Sequence, residues 1–305
     1  MTAVTLLEGG LGQEINLRSE GPATSLWSVE VMMKRPDIVT AVHGDFIKAG
    51  VNAITVNAYT ATPPRLKMNG RPEWFEDAQA LAIKIAQAAR AEAATAGIGR
   101  SGLQITGCLP PLVASYVTEM AENYENSLEI YQQIVALQQA GVDVMFIETI
   151  GLIAEAMAGI DAAKSSGKPV YVGFTLNDDG SNTLRSGEAL EDAVAMATDR
   201  GVDGVMVNCS IPEAVTKAMP VLATSGIRFG GYANGFTSIE KLNPGGNVDS
   251  LKARTDLGPA AYAEFVKSWL DDGASIVGGC CEVGPSHTVF LNDMLDDMGF
   301  VRQSL

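Results

Sequence analysis

The cysteines of this chain stand where they can share one metal ion. Cys280 and Cys281 are adjacent and follow a pair of glycines at the end of an apolar run. Cys209 ends another apolar run earlier in the chain. Adjacent thiols suit a metal better than a disulfide, and the paired glycines allow the backbone to turn sharply there. If both runs are strands of one barrel, we expect the three thiols to converge at its rim.

Three thiolates that hold one metal ion point to zinc and to a particular chemistry. Zinc binds thiolate sulfur at about 2.3 Å, and three protein ligands leave its fourth tetrahedral position open. Such a zinc is electron-rich, so it suits carrying another thiolate better than splitting water. A substrate thiol with an ordinary pKa of about 8.5 loses its proton on binding and becomes a nucleophile. Buried cysteines are also common without any metal, and we interpret Cys108, beside two prolines, as a packing residue.

The elements that must position these thiols alternate regularly. Short β-rich runs follow one another with helical segments between them, which predicts parallel strands with crossover helices. Eight such units in 305 residues fit a single-domain (β/α)8 TIM barrel over residues 1–305. The predicted strands lie near Val4–Glu8, Asn52–Asn57, Leu103–Leu109, Val144–Glu148, Val170–Leu176, Gly204–Asn208, Arg228–Tyr232 and Ser275–Gly279. The clearest predicted helices are Glu73–Ala96, Asn123–Ala140 and Pro259–Leu270.

Glycines and loops support the same architecture. A glycine precedes most of the strands, where a helix C-terminus favours a residue that tolerates positive φ; these are Gly50, Gly97, Gly141, Gly167, Gly201, Gly226 and Gly273. Segments 17–28 and 235–256 are predicted to be long loops after the first and seventh strands. Loops at the C-terminal mouth of a barrel line the active site, and Cys209, Cys280 and Cys281 fall at this same end.

Composition limits the class of protein. The chain has 36 acidic and 21 basic residues and a formal net charge of -15, which argues against a nucleic acid or an anionic membrane as partner. No apolar run approaches the roughly 20 residues of a membrane-spanning helix. The N-terminus lacks a secretory signal, so we expect a cytoplasmic location and reduced thiols. The sequence leaves open whether the protein forms a homo-oligomer.

Other barrel and nucleotide chemistries lack their residues. A Schiff-base aldolase needs a lysine at a strand end, and none of the eight runs supplies one. The dinucleotide fingerprint fails because Ile15 stands where its third glycine belongs. A non-catalytic protein that stores metal or senses oxidants through its thiols remains an alternative.

With these residues in place, the chain resembles the homocysteine S-methyltransferase family along nearly its whole length. The double cysteine with the upstream Asn-Cys pair is the specific part of the resemblance. The matching segments are Leu7–Glu14, Leu26–Ser28, Val42–His43, Thr55–Tyr59, Phe146–Thr149, Leu184–Gly187, Val207–Cys209, Tyr232–Asn234 and Gly278–Cys281. The resemblance implies a zinc enzyme that moves a methyl group from a small donor to homocysteine and forms methionine. S-Methylmethionine, S-adenosylmethionine, betaine and methylfolate are the donors that it leaves open.

The resemblance also implies roles for individual residues. Cys209, Cys280 and Cys281 are the implied zinc ligands, Glu148 the group that holds the amine of homocysteine, and Tyr59 an aromatic residue near the metal.

At the first strand, the family's Asp-Gly-Gly is Glu8-Gly9-Gly10 here. The longer side chain keeps the charge but shifts it by about one methylene, and we expect the backbone amides of Gly9, Gly10 and Leu11 to bind the substrate carboxylate.

Further residues near the strand ends complete the prediction. Asn208 and Asn234 are expected to contribute to substrate binding and to order the metal ligands. Aromatic faces such as Trp27, Tyr59 and Tyr116 would favour a sulfonium or ammonium donor. His43 is expected to be structural and distant from the mouth, and His287 to open the last helix.

Two alternatives remain within this chemistry. The chain would serve as a homocysteine-binding subunit if a separate corrinoid protein supplied the methyl group. It would be a non-catalytic zinc or thiol protein if it bound metal without transferring methyl groups.

Overall fold

The chain closes into a barrel of parallel strands. The computed structural model describes residues 3–239 and 251–305. Neighbouring strands pair in sequence order, one isolated bridge joins β1 to β2 and two join β3 to β4, and β8 pairs with β1 to complete the ring. The predicted (β/α)8 barrel is therefore confirmed. Its strands are β1 (Ala3–Leu6), β2 (Ala53–Thr55), β3 (Gln104–Thr106), β4 (Met145–Ile150), β5 (Val170–Phe174), β6 (Gly204–Asn208), β7 (Arg228–Tyr232) and β8 (Ile276–Val277).

Helices surround the barrel. They are α1 (Leu11–Leu17), α2 (Trp27–Lys34), α3 (Pro36–Lys48), α4 (Pro63–Met68), α5 (Phe75–Ala96), α6 (Tyr124–Gln138), α7 (Ile153–Lys164), α8 (Leu190–Asp199), α9 (Pro212–Ala223), α10 (Pro259–Asp271) and α11 (Pro285–Asp297). The three predicted helices match α5, α6 and α10 within a few residues. Within the two described ranges, none of the helices combines the length and the apolarity that crossing a bilayer requires.

The two predicted long loops differ from expectation in separate ways. The first loop, predicted over residues 17–28, is shorter than expected, because α1 extends to Leu17 and α2 begins at Trp27. Residues 240–250 of the second lie outside the described residues, while its two flanks meet at a bridge between Phe236 and Ala253.

Apolar side chains fill both sides of the strand layer. Inside the ring, inward-facing residues from seven of the eight strands and their bridge positions form one cluster: Leu7, Ala53, Val144, Phe146, Tyr171, Met206, Tyr232 and Ile276. Outside it, the helices bury apolar faces against the strands. On α5 that face is made of small residues, Ala78, Ala82, Ala86, Ala89 and Ala93, which recur at helical spacing and let the long helix lie close to its neighbours.

A short ninth strand was not predicted. β9 (Val301–Arg302) pairs in parallel with β1, and the amide of Leu305 donates to the side-chain oxygen of Gln104 at 2.6 Å. The Leu305 side chain packs against the cluster inside the ring. The last residues therefore cover the end of the barrel opposite the cysteines.

Most of the glycine prediction is confirmed. Six of the seven glycines before strands have positive φ, for example 66° at Gly97 after α5. Gly141 is not among them. A Cβ there would lie 2.3 Å from Cγ2 of Ile83, so close packing against α5 requires glycine at this position.

Candidate metal centre and substrate cavity

The structure brings the three predicted sulfur atoms together at the C-terminal mouth. Cys209 follows β6, and Cys280 and Cys281 follow β8. Their sulfur atoms all lie within 4.8 Å of one another, near the spacing of about 3.8 Å that a tetrahedral Zn–S distance of about 2.3 Å implies. Cys209 and Cys280 are joined by a disulfide here, whereas Cys281 is free. The expectation that all three thiols are reduced is therefore wrong for this structure, and a shared metal first requires reduction of that bond.

The surroundings of the sulfurs suit a soft cation. Cys209 is 5% exposed and Cys281 is 9% exposed. Burial, followed by the nearby Glu282 carboxylate, raises the pKa of the Cys281 thiol to about 12. A buried thiol of this kind stays protonated at neutral pH unless a metal compensates the thiolate charge. Three convergent sulfur donors favour zinc over the oxygen-preferring cations.

Backbone hydrogen bonds hold the ends of β6 and β8 to β7, which lies between them. The Cys209 amide donates to the carbonyl of Tyr232 at 3.2 Å, and the Cys280 amide donates to that of Ala233 at 2.9 Å. Cys209 also adopts a positive φ of 47°, which is unfavourable for a residue with a side chain. The chain thus turns abruptly at the end of β6, where the sulfur must be presented.

Glycines let three chain segments meet behind the sulfurs. A Cβ on Gly10 would lie 2.6 Å from the carbonyl oxygen of Cys280, and one on Gly279 would lie 2.1 Å from Cγ1 of Val283. Neither Gly278 nor Gly279 has positive φ. The predicted reason for the glycine pair, a sharp turn, is therefore wrong; close packing explains it.

The same packing occupies the amides that were expected to bind a carboxylate. The Gly10 amide donates to the carbonyl of Val283 at 2.9 Å, and the Leu11 amide donates to that of Gly9 at 2.8 Å. Gly9 and Gly10 do line the cavity, but these two hydrogen bonds argue against the carboxylate role of Gly10 and Leu11.

A cavity opens directly over the sulfurs. Its walls come from the segments after six of the strands, and its floor includes all three cysteines. Aromatic rings supply much of the wall: Trp27, Tyr59, Tyr116, Phe146, Tyr232 and Phe236. Among the described residues of its lining, the ionisable side chains other than tyrosines and metal-site cysteines are Glu8, Arg65, Cys108 and Glu148. Such a largely apolar cavity with few polar groups is typical of a small-molecule site.

Glu148 lies within β4, at a register irregularity between Ile147 and Ile150, rather than after the strand. Its carboxylate accepts a hydrogen bond from the Cys108 thiol at 3.1 Å. Burial raises the pKa of Glu148 to about 7, the thiol opposes this rise, and the Glu8 charge adds to it. Cys108 lines the cavity, so its interpretation as a mere packing residue is wrong.

Asn208 organises the segment beside Glu148. Its side-chain oxygen accepts the Thr149 amide at 2.9 Å, and its amide group donates to the Thr149 hydroxyl at 2.8 Å. These bonds hold Thr149 at a positive φ of 63°. The side-chain oxygen of Asn234 accepts the Phe236 amide at 3.1 Å.

Neither asparagine lines the cavity. Both support the segments that form its walls, and their contribution to substrate binding stays a prediction.

The Glu8 carboxylate lies between the end of β2 and helix α3. One carboxylate oxygen accepts the Thr55 amide at 2.6 Å, and the other lies 3.6 Å from Nδ1 of His43. His43 is buried within α3, as expected of a structural residue, but it lies against Glu8 in the cavity wall, so its expected distance from the mouth is wrong. His287 lies in the first turn of α11, as predicted, and its Nε2 is 3.1 Å from the carbonyl oxygen of Leu257.

Tyr59 is fixed in the wall by its hydroxyl group. That oxygen lies 2.9 Å from Oγ of Ser115, and the Trp27 and Tyr59 rings are nearly perpendicular at a centroid distance of 6.5 Å. Burial raises the pKa of Tyr59 well above its usual value, so the phenol stays neutral at physiological pH.

Strained backbone is concentrated at this cavity. Four of the six described non-glycine residues with positive φ line it, namely Trp27, Tyr116, Thr149 and Cys209, and a fifth, Glu282, follows Cys281 directly. Such strain accumulates at functional sites because the surrounding fold must enforce it. No residue type in the sequence marks these positions, so sequence reasoning could not identify them as a group.

Three convergent cysteine sulfurs, an acidic group and an aromatic wall at the mouth of a TIM barrel form a site suited to an enzyme that acts on a thiol substrate. A family model described as homocysteine S-methyltransferase matches residues 5–295. The chain therefore belongs to the homocysteine S-methyltransferase family of enzymes.

Particular relatives agree with this assignment. The chain is 29% identical to a homocysteine S-methyltransferase of Escherichia coli strain K12, over 93% of this chain and 92% of the relative. It is 25% identical to a selenocysteine Se-methyltransferase of Brassica oleracea var. italica, over 92% of this chain and 86% of the relative. The metallated crystal form of the E. coli homocysteine methyltransferase MmuM shares the fold, with a TM-score of 0.80, 24% identity and 96% coverage of both chains.

Proposed function

We propose that this chain transfers a methyl group from a small donor to the sulfur of homocysteine and forms methionine, with zinc held by Cys209, Cys280 and Cys281. The convergence of three sulfurs within 4.8 Å, on the floor of a cavity that also contains Glu148, carries this proposal. The predicted single domain over residues 1–305 and its cytoplasmic location belong to the same proposal.

Each part of the cavity has a task in this reaction. Bound zinc supplies the positive charge that keeps the substrate sulfur deprotonated at neutral pH. The Glu148 carboxylate binds the ammonium group of homocysteine by a charge-assisted hydrogen bond. The Cys108 thiol and the segment at Thr149 hold Glu148 in place, and Tyr59 and Trp27 exclude water from one side of the cavity.

The transfer itself is a displacement at carbon. A lone pair of the substrate sulfur forms the new S–CH3 bond while the bond between the methyl carbon and the donor's leaving atom breaks. The electron pair of the broken bond stays on that leaving atom, so the cationic sulfur or nitrogen of a sulfonium or ammonium donor becomes neutral. Alignment of the two reactants is the main contribution of the cavity walls.

The direct test is methionine formation by the reduced, zinc-loaded chain with homocysteine and each candidate donor: betaine, S-methylmethionine, S-adenosylmethionine, a dimethylsulfonium compound and methylfolate. We expect one donor class to react and Cys281→Ser to abolish both zinc retention and turnover. The Cys108→Ser variant is the matched control, because we expect it to keep the zinc. Full zinc retention in Cys281→Ser would contradict the metal centre.

The acceptor and the corrinoid alternative are tested in the same assay. Because one relative is named a selenocysteine Se-methyltransferase, selenocysteine is compared with homocysteine as acceptor. Homocysteine binding without turnover on any small donor would favour a corrinoid-protein partner, and zinc binding without homocysteine binding would favour a non-catalytic thiol protein.

A further inference from the structure

One guanidinium group in the cavity wall lacks an acidic partner. Arg65, in α4, is the only arginine or lysine among the described residues that line the cavity. Its Nε and Nη2 donate to the carbonyl of Pro111 at 3.2 and 2.9 Å, and Nη2 also donates to Oγ of Ser115 at 3.1 Å. Nη1 makes no hydrogen bond to any described residue, and Arg65 takes part in no ion pair within the described ranges.

The charge of Arg65 is poorly compensated. Its guanidinium lies 5.4 Å from the centroid of the Tyr59 ring, and burial lowers its pKa. The carboxylate of Glu155 acts on it from beyond ion-pair distance, and one Glu155 oxygen already accepts a backbone amide. The other ionisable groups around it, Tyr59, Tyr131 and Cys108, are neutral at physiological pH because burial raises the pKa of each. A partly buried guanidinium without a nearby carboxylate reduces the stability of the folded chain unless a ligand supplies an anion.

The position of Arg65 points to a second ligand rather than to homocysteine. Arg65 contacts the segments after β2 and β3, whereas the sulfurs follow β6 and β8 on the other side of the mouth. A homocysteine molecule bound through its sulfur and its amine extends from the sulfurs to Glu148. With the sulfur and the amine of homocysteine engaged there, we assign the guanidinium to the carboxylate of the other reactant, and the carboxylate of homocysteine itself is the competing assignment that the homocysteine KM of Arg65→Gln tests.

We propose that Arg65 binds a carboxylate group of the methyl donor and thereby selects donors that combine a methylated sulfonium or ammonium centre with a carboxylate. This inference rests on the proposed methyl transfer and names its donor class. Guanidinium pairs with carboxylate through directed hydrogen bonds, and here Pro111, Ser115 and the Tyr59 ring already hold the side chain in one orientation. An anchored carboxylate leaves the methylated cation of the donor directed at the sulfur across the cavity.

Donor binding without homocysteine tests Arg65 independently of turnover. The reduced, zinc-loaded full chain is titrated calorimetrically with betaine, S-methylmethionine and dimethylsulfoniopropionate, and with choline and trimethylsulfonium as probes that lack a carboxylate. We expect at least one carboxylated probe to bind, and its counterpart without a carboxylate to bind about 30-fold more weakly or worse. Arg65→Gln should remove this difference, and Arg65→Lys should retain part of it.

The matched control is Arg71→Gln, which removes the same charge from a nearby exposed arginine that does not line the cavity. It should leave donor discrimination unchanged. Zinc content, thermal midpoint and the homocysteine KM are measured for every variant. A folding defect in Arg65→Gln would lower the zinc content or the thermal midpoint, a raised homocysteine KM with an unchanged donor KM would assign Arg65 to homocysteine and overturn the inference, and loss of a donor anchor raises the donor KM.

The outcomes separate this inference from the proposed function. Equal binding of carboxylated probes by the wild type and Arg65→Gln would overturn the role of Arg65, as would failure of the wild type to bind any of them. Carboxylate-dependent binding without methionine formation would leave the anion site in place and refute the methyl transfer. Methionine formation together with unchanged donor discrimination in Arg65→Gln would support the methyl transfer and refute the role of Arg65 as an anion site.

Discussion

Gly10 offers a way to disturb the metal centre without changing a ligand. A Cβ at this position would lie 2.6 Å from the carbonyl oxygen of Cys280 and 3.0 Å from Cα of Cys281. Both are backbone atoms, so no side chain can rotate away. In Gly10→Ala the carbonyl oxygen must retreat by about 0.8 Å to reach the 3.4 Å of an ordinary contact. The adjacent cysteines must move with it.

The expected magnitude follows from the cost of overpacking. Inserting a methyl group into a closely packed site costs about 1–3 kcal/mol. If the strain is released by displacing the cysteine pair, zinc affinity falls by about 5-fold to about 150-fold. If the backbone at Cys280 and Cys281 does not move, the same strain lowers the free energy of unfolding of the metal-free chain instead.

Competition with a chromophoric chelator, under reducing conditions, measures this change. Gly44→Ala is the control, because a Cβ at Gly44, inside α3, meets no atom within 4 Å. Alanine there should stabilise the helix by up to about 1 kcal/mol and leave zinc affinity unaltered. Wild-type zinc affinity together with wild-type stability in Gly10→Ala would refute the packing argument.

Other predictions concern Glu148 and its supports. Glu148 must be ionised to hold an ammonium group, and its pKa is about 7, so the KM for homocysteine should fall as pH rises through about 7 and then level off; Glu148→Gln should raise KM and lose this pH dependence. Cys108→Val removes a hydrogen bond that lowers the pKa of Glu148, so the midpoint of that pH profile should move upward; an unmoved midpoint would count against the contact. Asn208→Ala leaves the buried Thr149 amide without its acceptor and should reduce the free energy of unfolding by about 1–3 kcal/mol in urea titrations, whereas Asn126→Ala on the surface should have little effect.

The barrel and the sulfur cluster were predictable because both depend on patterns local in sequence. Alternating strands and helices determine the architecture, and a cysteine at the end of each of two parallel strands must face the same mouth. The positions of Cys209, Cys280 and Cys281 therefore followed from their places in the pattern. β9 was missed because two residues carry too little periodicity to identify a strand.

Contacts between distant segments were not predictable in the same way. The roles of Cys108 and His43 depend on carboxylates from distant parts of the chain, Glu148 in β4 and Glu8 after β1, and the residues next to Cys108 and His43 in sequence do not indicate these partners. Gly141 illustrates the same limit, because its neighbour Ile83 belongs to a different helix. The disulfide between Cys209 and Cys280 depends on which of three close sulfurs meet, which the sequence does not specify.

The pairing of β1 determines when the barrel can close as the chain is synthesised. Thr5 pairs with Ile276, and Ala3 pairs with Val301, so this strand lacks two of its lateral partners until β8 and β9 have left the ribosome. Contacts between residues so far apart in sequence slow folding, because a very long loop must close. Until then the inward side of β1 and its unpaired edge stay exposed on the nascent chain. We therefore expect ring closure to follow the synthesis of β8 and β9, with the thiol cluster assembled only then.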